Sequence, residues 1–168
     1  MQQVSELFKE AMGRLAAGVT LVTTEIEGRP WGLTVSACCS VSMEPPLLLV
    51  SLLTKNASTE AIKKQRRFGV SLLASDQTAA AKAGAKAGAP KFFEEFVESD
   101  PIGKTYVVKD ALAHVHCQVE NVVEAGDHTI FIGLVEHVTA GDLKQPLLYF
   151  HRQFGSFTNE LEQKEIVV

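Results

Sequence analysis

The chain has 168 residues, 46% of them apolar and 21% charged, and a formal net charge of −4. These values are typical of a globular protein that buries a real core, and we expect one domain over residues 1–168. The acidic balance argues against nucleic acid and anionic membranes as partners. The longest apolar run, Leu47–Leu53, is also far shorter than the ~20 residues that span a bilayer.

Cysteine usage and the first ten residues indicate a reducing compartment. Cys38, Cys39 and Cys117 are odd in number and lack the paired CxxC spacing of zinc and redox sites. Free thiols are their simplest interpretation. The opening segment, MQQVSELFKE, is too polar for a signal peptide. We therefore expect a cytoplasmic protein.

Apolar spacing predicts a helix followed by strands in the first third of the chain. Val4–Ala16 repeats apolar residues at helical intervals. Val19–Glu27 alternates as a strand and then turns at Glu27–Gly28. Gly32–Leu52 predicts two further strands, joined by a turn around Pro45–Pro46.

Two helices are expected in the middle of the chain. Asn56–Gln65 begins with a residue suited to cap a helix, either Asn56 or Ser58. Its predicted buried face consists of Ala57, Ala61 and Ile62. Ser75–Gly88 is rich in alanine and lysine and predicts a second helix, capped by Ser75 or Asp76.

The last half of the chain is dominated by strand patterns. Before them, the short segment Lys91–Val97 carries three aromatic residues, Phe92, Phe93 and Phe96, which need cover from the core or from a partner subunit. Strands are expected there at Thr105–Val108, Ala111–Val123, His128–Thr139 and Tyr149–Phe157, and an earlier strand, Phe68–Leu73, is expected between the two helices.

This order of elements differs from the alternating βαβ pattern of a parallel sheet. It fits a mainly β fold, a closed antiparallel barrel with helices packed outside. The sequence has no GxGxxG or P-loop motif, so any bound nucleotide is held by a different kind of binding site.

The stretch Gly32–Leu52 is unusual for the small, hydroxylated residues in its first half, such as Thr34, Ser36 and Ser40. Small residues allow a flat ligand or another backbone to approach closely, and hydroxyls can bond to it. A Thr/Ser-rich edge strand with no ligand explains the composition equally well, so both interpretations stay open.

A metal site is the rival interpretation. His114, His116 and Glu120 lie at positions of one parity, so a strand would present them on one face. Two histidines and a carboxylate can hold iron, as in a cupin-like oxygenase. The second half of a cupin signature is absent, and the apolar face is the opposite one, formed by Ala113, Val115, Cys117 and Val119. We therefore favour a solvated polar face here and predict no metal.

Five segments, in one order, resemble a known family. They are FKEAMGRLAAGVTLVTT, GLTVSACCSVSMEPPLLLV, KNASTEAIKKQRRFGVSLL, GDHTIFIGLVE and PLLYFHRQFGSF. Together they are similar to the flavin reductase-like, FMN-binding split-barrel family, which includes the reductase components of two-component flavin monooxygenases. The resemblance implies a split β-barrel that works as a homodimer. It also implies NAD(P)H-dependent reduction of FMN or FAD, with reduced flavin passed to a separate monooxygenase. A non-catalytic flavin carrier of the same fold is the alternative.

The resemblance also implies where the flavin lies. The segment that matches the ring-binding part of the family is Thr34, Val35, Ser36 and Ala37, and the strand beside the ribityl chain contributes Ser51 and Leu52. The loop that matches the phosphate site consists of Lys55, Asn56, Ala57, Ser58 and Thr59. From the residues alone, this loop is equally a plain helix cap.

The nicotinamide side depends on His128, which follows Gly126–Asp127. The resemblance implies that His128 helps to place NADH or NADPH, and we take it as the catalytic candidate. Lys91 and Arg152 are candidates for the charges of the nucleotide. An ordinary strand histidine and an internal ion pair of Arg152 are the alternatives.

Overall fold

The computed structural model describes residues 2–88, 90–100, 102 and 105–157. Within them the chain forms three helices and twelve strands. The helices are α1 (Gln2–Gly13), α2 (Ala57–Gln65) and α3 (Thr78–Ala85). The strands are β1 (Ala17–Gly18), β2 (Thr20–Ile26), β3 (Arg29–Val35), β4 (Cys38–Met43), β5 (Pro46–Leu53), β6 (Arg67–Leu72), β7 (Val97–Asp100), β8 (Thr105–Val108), β9 (Ala113–Ala125), β10 (His128–Ala140), β11 (Leu147–Phe150) and β12 (Gln153–Ser156).

The main sheet has seven strands in the order β3-β2-β6-β9-β10-β5-β4, and every neighbouring pair is antiparallel. Its two edge strands, β3 and β4, are separated by only Ser36 and Ala37. Because two residues span so short a distance, the sheet must curl until its edges meet. A bond from Ser51 N to Ala37 O (3.0 Å) continues the β4–β5 ladder into this two-residue connection. The predicted antiparallel barrel with outer helices is confirmed.

Two strand predictions were wrong in detail. Gly32–Leu52 forms three strands, because the chain leaves one sheet edge at Ser36 and starts again at the other. Tyr149–Phe157 was expected as one strand, but β11 and β12 form a hairpin that turns at His151 and Arg152 (φ 48° and 62°). Tight hairpins need two residues with positive φ, usually Asn-Gly, so His-Arg carries no recognisable turn signal.

The helices differ from expectation in what they bury. Asn56 caps α2 as predicted, with its side chain accepting a hydrogen bond from Ser58 N (3.2 Å). The buried face, however, consists of Ser58, Thr59 and Ile62. Thr59 turns inward because its hydroxyl donates to Leu53 O (2.8 Å). Helix α3 begins after Gln77, which makes no side-chain cap bond, so neither Ser75 nor Asp76 caps it.

Two apolar clusters form the core. One fills the barrel around Phe68 and Phe131, and the other lies between the sheet, α3 and the β7–β8 hairpin. Phe93 is fully buried in the second cluster and Phe96 packs against it, so the chain itself covers this part of the aromatic segment. No helix among the described residues is long and apolar enough to cross a membrane.

Candidate functional site

A cleft of about 1280 Å³ opens between the barrel and α3. Four parts of the chain form it: strand β3, the β5–α2 connection, the end of α3 with the loop that follows, and the β9–β10 turn. The lining residues include Trp31, Leu33, Thr34, Leu53, Thr54, Lys55, Asn56, Ala57, Gly84, Lys91, Gly126 and Asp127.

Backbone pairing brings the β5–α2 connection beside the β9–β10 turn. β10 pairs with β5 so that His128 lies opposite Leu53. Beyond the ladder, Thr54 N donates to Asp127 O (2.9 Å), and the hydroxyls of Thr54 and Thr129 lie 3.0 Å apart. The predicted phosphate loop and the predicted nicotinamide turn are therefore neighbours, although about 70 residues separate them in the sequence.

Helix α3 forms the opposite wall and packs very closely on β3. The Thr34 hydroxyl donates to Ala81 O (2.7 Å). A Cβ added to Gly84 would collide with the side chain and backbone nitrogen of Thr34. Glycine at this position therefore lets the helix reach the strand and close one side of the cleft.

The predicted phosphate loop divides into an accessible part and a buried part. Lys55, Asn56 and Ala57 line the cleft, whereas Ser58 and Thr59 are fully buried behind them. The Thr59 hydroxyl is occupied by Leu53 O, but Ser58 Oγ has no hydrogen-bond partner within the described chain. The N-terminus of α2 and an unpaired hydroxyl suit an anionic group, so the loop fits the phosphate of a flavin nucleotide.

The predicted ring-binding residues lie along a strip that leads into the cleft. Thr34 lines it, Ser36 and Ala37 are exposed at the barrel seam, and Ser51 is half-buried next to Ala37. Ser51 shares a face of β5 with Leu53, which lines the cleft. Two further predicted residues, Val35 and Leu52, point into the barrel core instead.

His128 lies just beyond the cleft-lining turn, with 42% of its side chain exposed. Its Nδ1 is 2.7 Å from Asp127 Oδ1. The pKa of Asp127 is lowered, chiefly by this hydrogen bond from His128, so the carboxylate stays ionised and accepts. Nδ1 must then carry the proton, which leaves Nε2 of a neutral ring as a hydrogen-bond acceptor.

The two cationic candidates are far from equivalent. Lys91 lines the cleft, and its backbone oxygen accepts from Gly32 N (3.0 Å). Arg152 lies in the β11–β12 turn, beside α1, and does not line the cleft. Its role at the nucleotide stays a prediction.

Trp31 and Thr54 are cleft residues that the sequence reasoning missed. A lone tryptophan in a strand carries no pattern that points to a ligand. Thr54 comes directly after the apolar run Leu47–Leu53. The interpretation of this loop depended on the next residues, Lys55 and Asn56, and left Thr54 out.

The predicted solvated face of His114, His116 and Glu120 was wrong. Both histidines are only 1% exposed, whereas Glu120 is exposed and outside their surroundings. His114 Nδ1 bonds to the Ser71 hydroxyl (2.6 Å), and His116 Nε2 bonds to Asp100 Oδ2 (2.8 Å). No group of three metal-binding side chains occurs in the described part of the chain.

A family profile decides the identity: the flavin reductase like domain matches residues 12–158. The chain belongs to the flavin reductase like family. It is 37% identical to the reductase component of 4-nitrophenol 4-monooxygenase/4-nitrocatechol 2-monooxygenase from Rhodococcus opacus, over 89% of this chain and 80% of that protein. It is 38% identical to an NADH:riboflavin 5′-phosphate oxidoreductase from Streptomyces pristinaespiralis, over 90% and 87% respectively.

The fold agrees with this family. The NADH:FAD oxidoreductase SgcE6 of Streptomyces globisporus C-1027, solved in complex with NAD and FAD fragments, superimposes with a TM-score of 0.86 at 26% identity. The match covers 94% of this chain and 95% of that one. The resemblance drawn from the sequence is therefore confirmed.

Proposed function

We propose that this flavin reductase family member transfers hydride from NADH or NADPH to FMN or FAD. The observation that carries the proposal is the pairing of the β5–α2 loop with the Gly126–His128 turn beside one cleft. This arrangement provides a helix N-terminus for a flavin phosphate next to a histidine for a second nucleotide. A bound flavin supplies the ring that accepts the hydride, so the chain itself has to bind and orient the two reactants.

His128 has a defined part in this proposal. Asp127 accepts the proton of Nδ1, so Nε2 of the neutral ring is free to accept hydrogen bonds. The nicotinamide carboxamide and the ribose hydroxyls are both suitable donors. Such a bond orients NAD(P)H without moving a proton during hydride transfer.

Steady-state kinetics test the proposal. Purified protein is mixed with NADH or NADPH and each of FMN, FAD and riboflavin, and nucleotide oxidation is followed. We expect at least one flavin to accelerate oxidation well above the rate without protein. If every combination stays at background while flavin still binds, the chain is a flavin carrier instead.

We propose that the product is used by a separate flavin-dependent monooxygenase, because one relative is the reductase component of a monooxygenase. We further propose one domain over residues 1–168 and a cytoplasmic location. The three free cysteines support this location, since thiols persist in a reducing compartment.

A homodimer is the assembly we propose. The aromatic segment that first suggested it is largely covered within the chain, but α1 supplies a stronger argument. Its apolar residues form one exposed stripe, and an uncovered stripe of this kind is typical of an interface. The exposed fractions are 70% for Val4, 60% for Leu7, 63% for Phe8 and 47% for Met12, and Leu15, just after the helix, is 63% exposed.

Light scattering at micromolar concentration should give twice the mass of one chain. A charge in the stripe, Phe8→Asp, should shift the mass towards one chain, whereas the neighbouring Lys9→Asp should not. A monomeric wild-type protein that binds FMN tightly would contradict the proposed dimer.

A further inference from the structure

The outer end of the cleft is a rigid aromatic wall. The rings of Trp31 and Phe92 meet edge to face, with centroids 5.1 Å apart and planes at 85°. On Phe92 lies the Arg29 guanidinium, 3.6 Å from the ring centroid, and Arg29 is itself held by Glu94 (2.6 Å). Phe93 N donates to the carbonyl of the residue before Trp31 (3.0 Å). These contacts fix the indole, whose remaining surface lines the cleft.

Next to this wall, Lys91 provides a positive charge that the protein does not neutralise. No carboxylate forms an ion pair with Lys91 in the part of the chain that the structure describes. Partial burial lowers the pKa of its ammonium group, as expected for a cation that has lost water without gaining a counter-charge. An anionic group of a ligand would compensate this loss.

Trp31 also has an unused hydrogen-bond donor. Among the described residues, two buried side-chain polar atoms lack a partner, Trp31 Nε1 and Ser58 Oγ. Trp31 lines the cleft, and Ser58 directly follows three residues that do. A buried indole N–H normally finds an acceptor, so its isolation indicates a missing ligand group.

The volume of the cleft also indicates room for a further ligand group. Pockets for drug-sized ligands typically measure about 300–1,000 Å³, and this cleft exceeds that range at about 1280 Å³. It therefore has room for more than the flavin mononucleotide assigned to the β5–α2 end.

We propose that Trp31 and Lys91 form a subsite for the adenosine diphosphate half of a dinucleotide. The purine stacks on the indole, and a phosphate meets the Lys91 ammonium. Aromatic faces accept any base by stacking, and lysine is a common phosphate ligand. Both FAD and NAD(P)H carry this group, so the experiment has to separate them. The inference rests on the proposed reductase function and adds specificity-determining residues to it.

The first test uses ADP alone, which has neither flavin nor nicotinamide. Trp31 is the single tryptophan of the chain, so its fluorescence reports directly on the subsite. We expect ADP to quench it saturably. Lys91→Met should weaken ADP binding about tenfold or more. The matched control is Lys86→Met, in the same segment but not lining the cleft, and its ADP affinity should equal that of the wild type.

The second test uses calorimetry and kinetics to decide whether the subsite binds the adenosine diphosphate group of FAD or that of NAD(P)H. Trp31→Ala should weaken FAD binding relative to FMN if the subsite serves the flavin, or raise the KM of NAD(P)H in FMN reduction if it serves the nicotinamide nucleotide. We expect one of these effects to reach about 5- to 50-fold. Trp31→Phe preserves an aromatic face and the fold while removing the N–H, so it should retain most of the stacking.

The proposal is overturned if ADP leaves the fluorescence unchanged at millimolar concentration, and equally if Trp31→Ala and Trp31→Phe alter neither the FAD:FMN affinity ratio nor the KM. In that case continued reduction of FMN would show that the reductase function stands without this subsite. Absence of NAD(P)H oxidation with every flavin would instead refute the proposed function itself, and ADP quenching would still report on the subsite.

Discussion

Two regions of this protein concentrate polar side chains, and they differ in whether those side chains are paired. Beneath the β7–β8 hairpin, His114 and His116 are buried in a closed network. Thr105 bonds to both histidines, and Ser71 and Asp100 bond to one each. In the cleft, by contrast, Trp31 Nε1, Ser58 Oγ and the Lys91 ammonium have no partner among the residues that the structure describes.

This difference separates a structural role from a binding role. A buried polar group costs free energy unless it is hydrogen-bonded, so a closed network can stabilise a hairpin without any ligand. Ser71 illustrates this role, because its hydroxyl also accepts from Val108 N (3.1 Å) and ties β8 to the sheet. Unpaired polar groups at a cleft destabilise the ligand-free protein until a ligand supplies the missing hydrogen-bond partner. Mutations in the two regions should therefore act on different quantities.

The largest effect should follow from opening the histidine network. His116→Leu removes the ring that bonds to the half-buried Asp100 carboxylate and to the buried Thr105 hydroxyl. We expect the free energy of unfolding to fall by about 3–5 kcal/mol, measured by urea titration. His137→Leu is the control, because this half-buried ring stacks on His116 (5.5 Å) without bonding to Asp100. Loss of FMN affinity at unchanged stability would place the network in the binding site.

The same network should make stability depend on pH. Burial lowers the pKa of His114 from 6.5 to about 3. Between these two pH values the ring is protonated in the unfolded chain and neutral in the folded chain. Stability contributed by the neutral ring is complete above pH 6.5 and falls as the pH drops towards 3. The expected loss is about 1.4 kcal/mol per pH unit in that window.

Urea titrations across this pH range measure the slope. His114→Gln cannot titrate and should flatten it, whereas an unchanged slope would mean that other groups dominate acid unfolding.

A smaller effect is expected in the cleft, where one substitution should raise stability and weaken flavin binding. Ser58→Ala removes a buried hydroxyl that has no partner within the described ranges of the chain, so the ligand-free protein should gain up to about 1 kcal/mol in stability. The same change should weaken FMN binding several-fold and leave riboflavin binding unchanged, because riboflavin has no phosphate. Thr59→Val is the contrasting variant, since it breaks the bond to Leu53 O and should only destabilise. Equal loss for both ligands would make the loop a simple helix cap.

The smallest effect should come from His128. His128→Ala removes one acceptor from the second nucleotide, which corresponds to about a 3- to 10-fold rise in the KM of NAD(P)H. FMN affinity and melting temperature should hardly change, because the ring is partly exposed and its one bond to a described residue is to exposed Asp127. Intact kinetics in the flavin-loaded variant would exclude His128 from the site.

The sequence by itself determined the local structure and the family. Alternating apolar residues marked most strands, Asn56 marked the start of α2, and five ordered segments carried the resemblance that the family profile confirms. These features are encoded locally, because the spacing of apolar residues and the capping of a helix depend on residues within one element. The same segments identified Thr34 and Lys55, and the resemblance separately suggested Lys91 for the charges of the nucleotide; all three residues line the cleft.

Only the tertiary structure decided which surfaces are covered. His114 and His116 look like one polar face of a strand, yet that face is buried because Thr105 and Asp100 supply partners. The local pattern predicted the strand that begins at Thr105, but not its partner strand β7 or the packing of their hairpin on the histidines. The chain changes sheet edge at Ser36–Ala37 because the barrel closes there. Trp31 becomes a cleft residue because the backbone of Lys91 pairs with Gly32, far away in sequence. Such pairings are long-range, and no local period of the sequence encodes them.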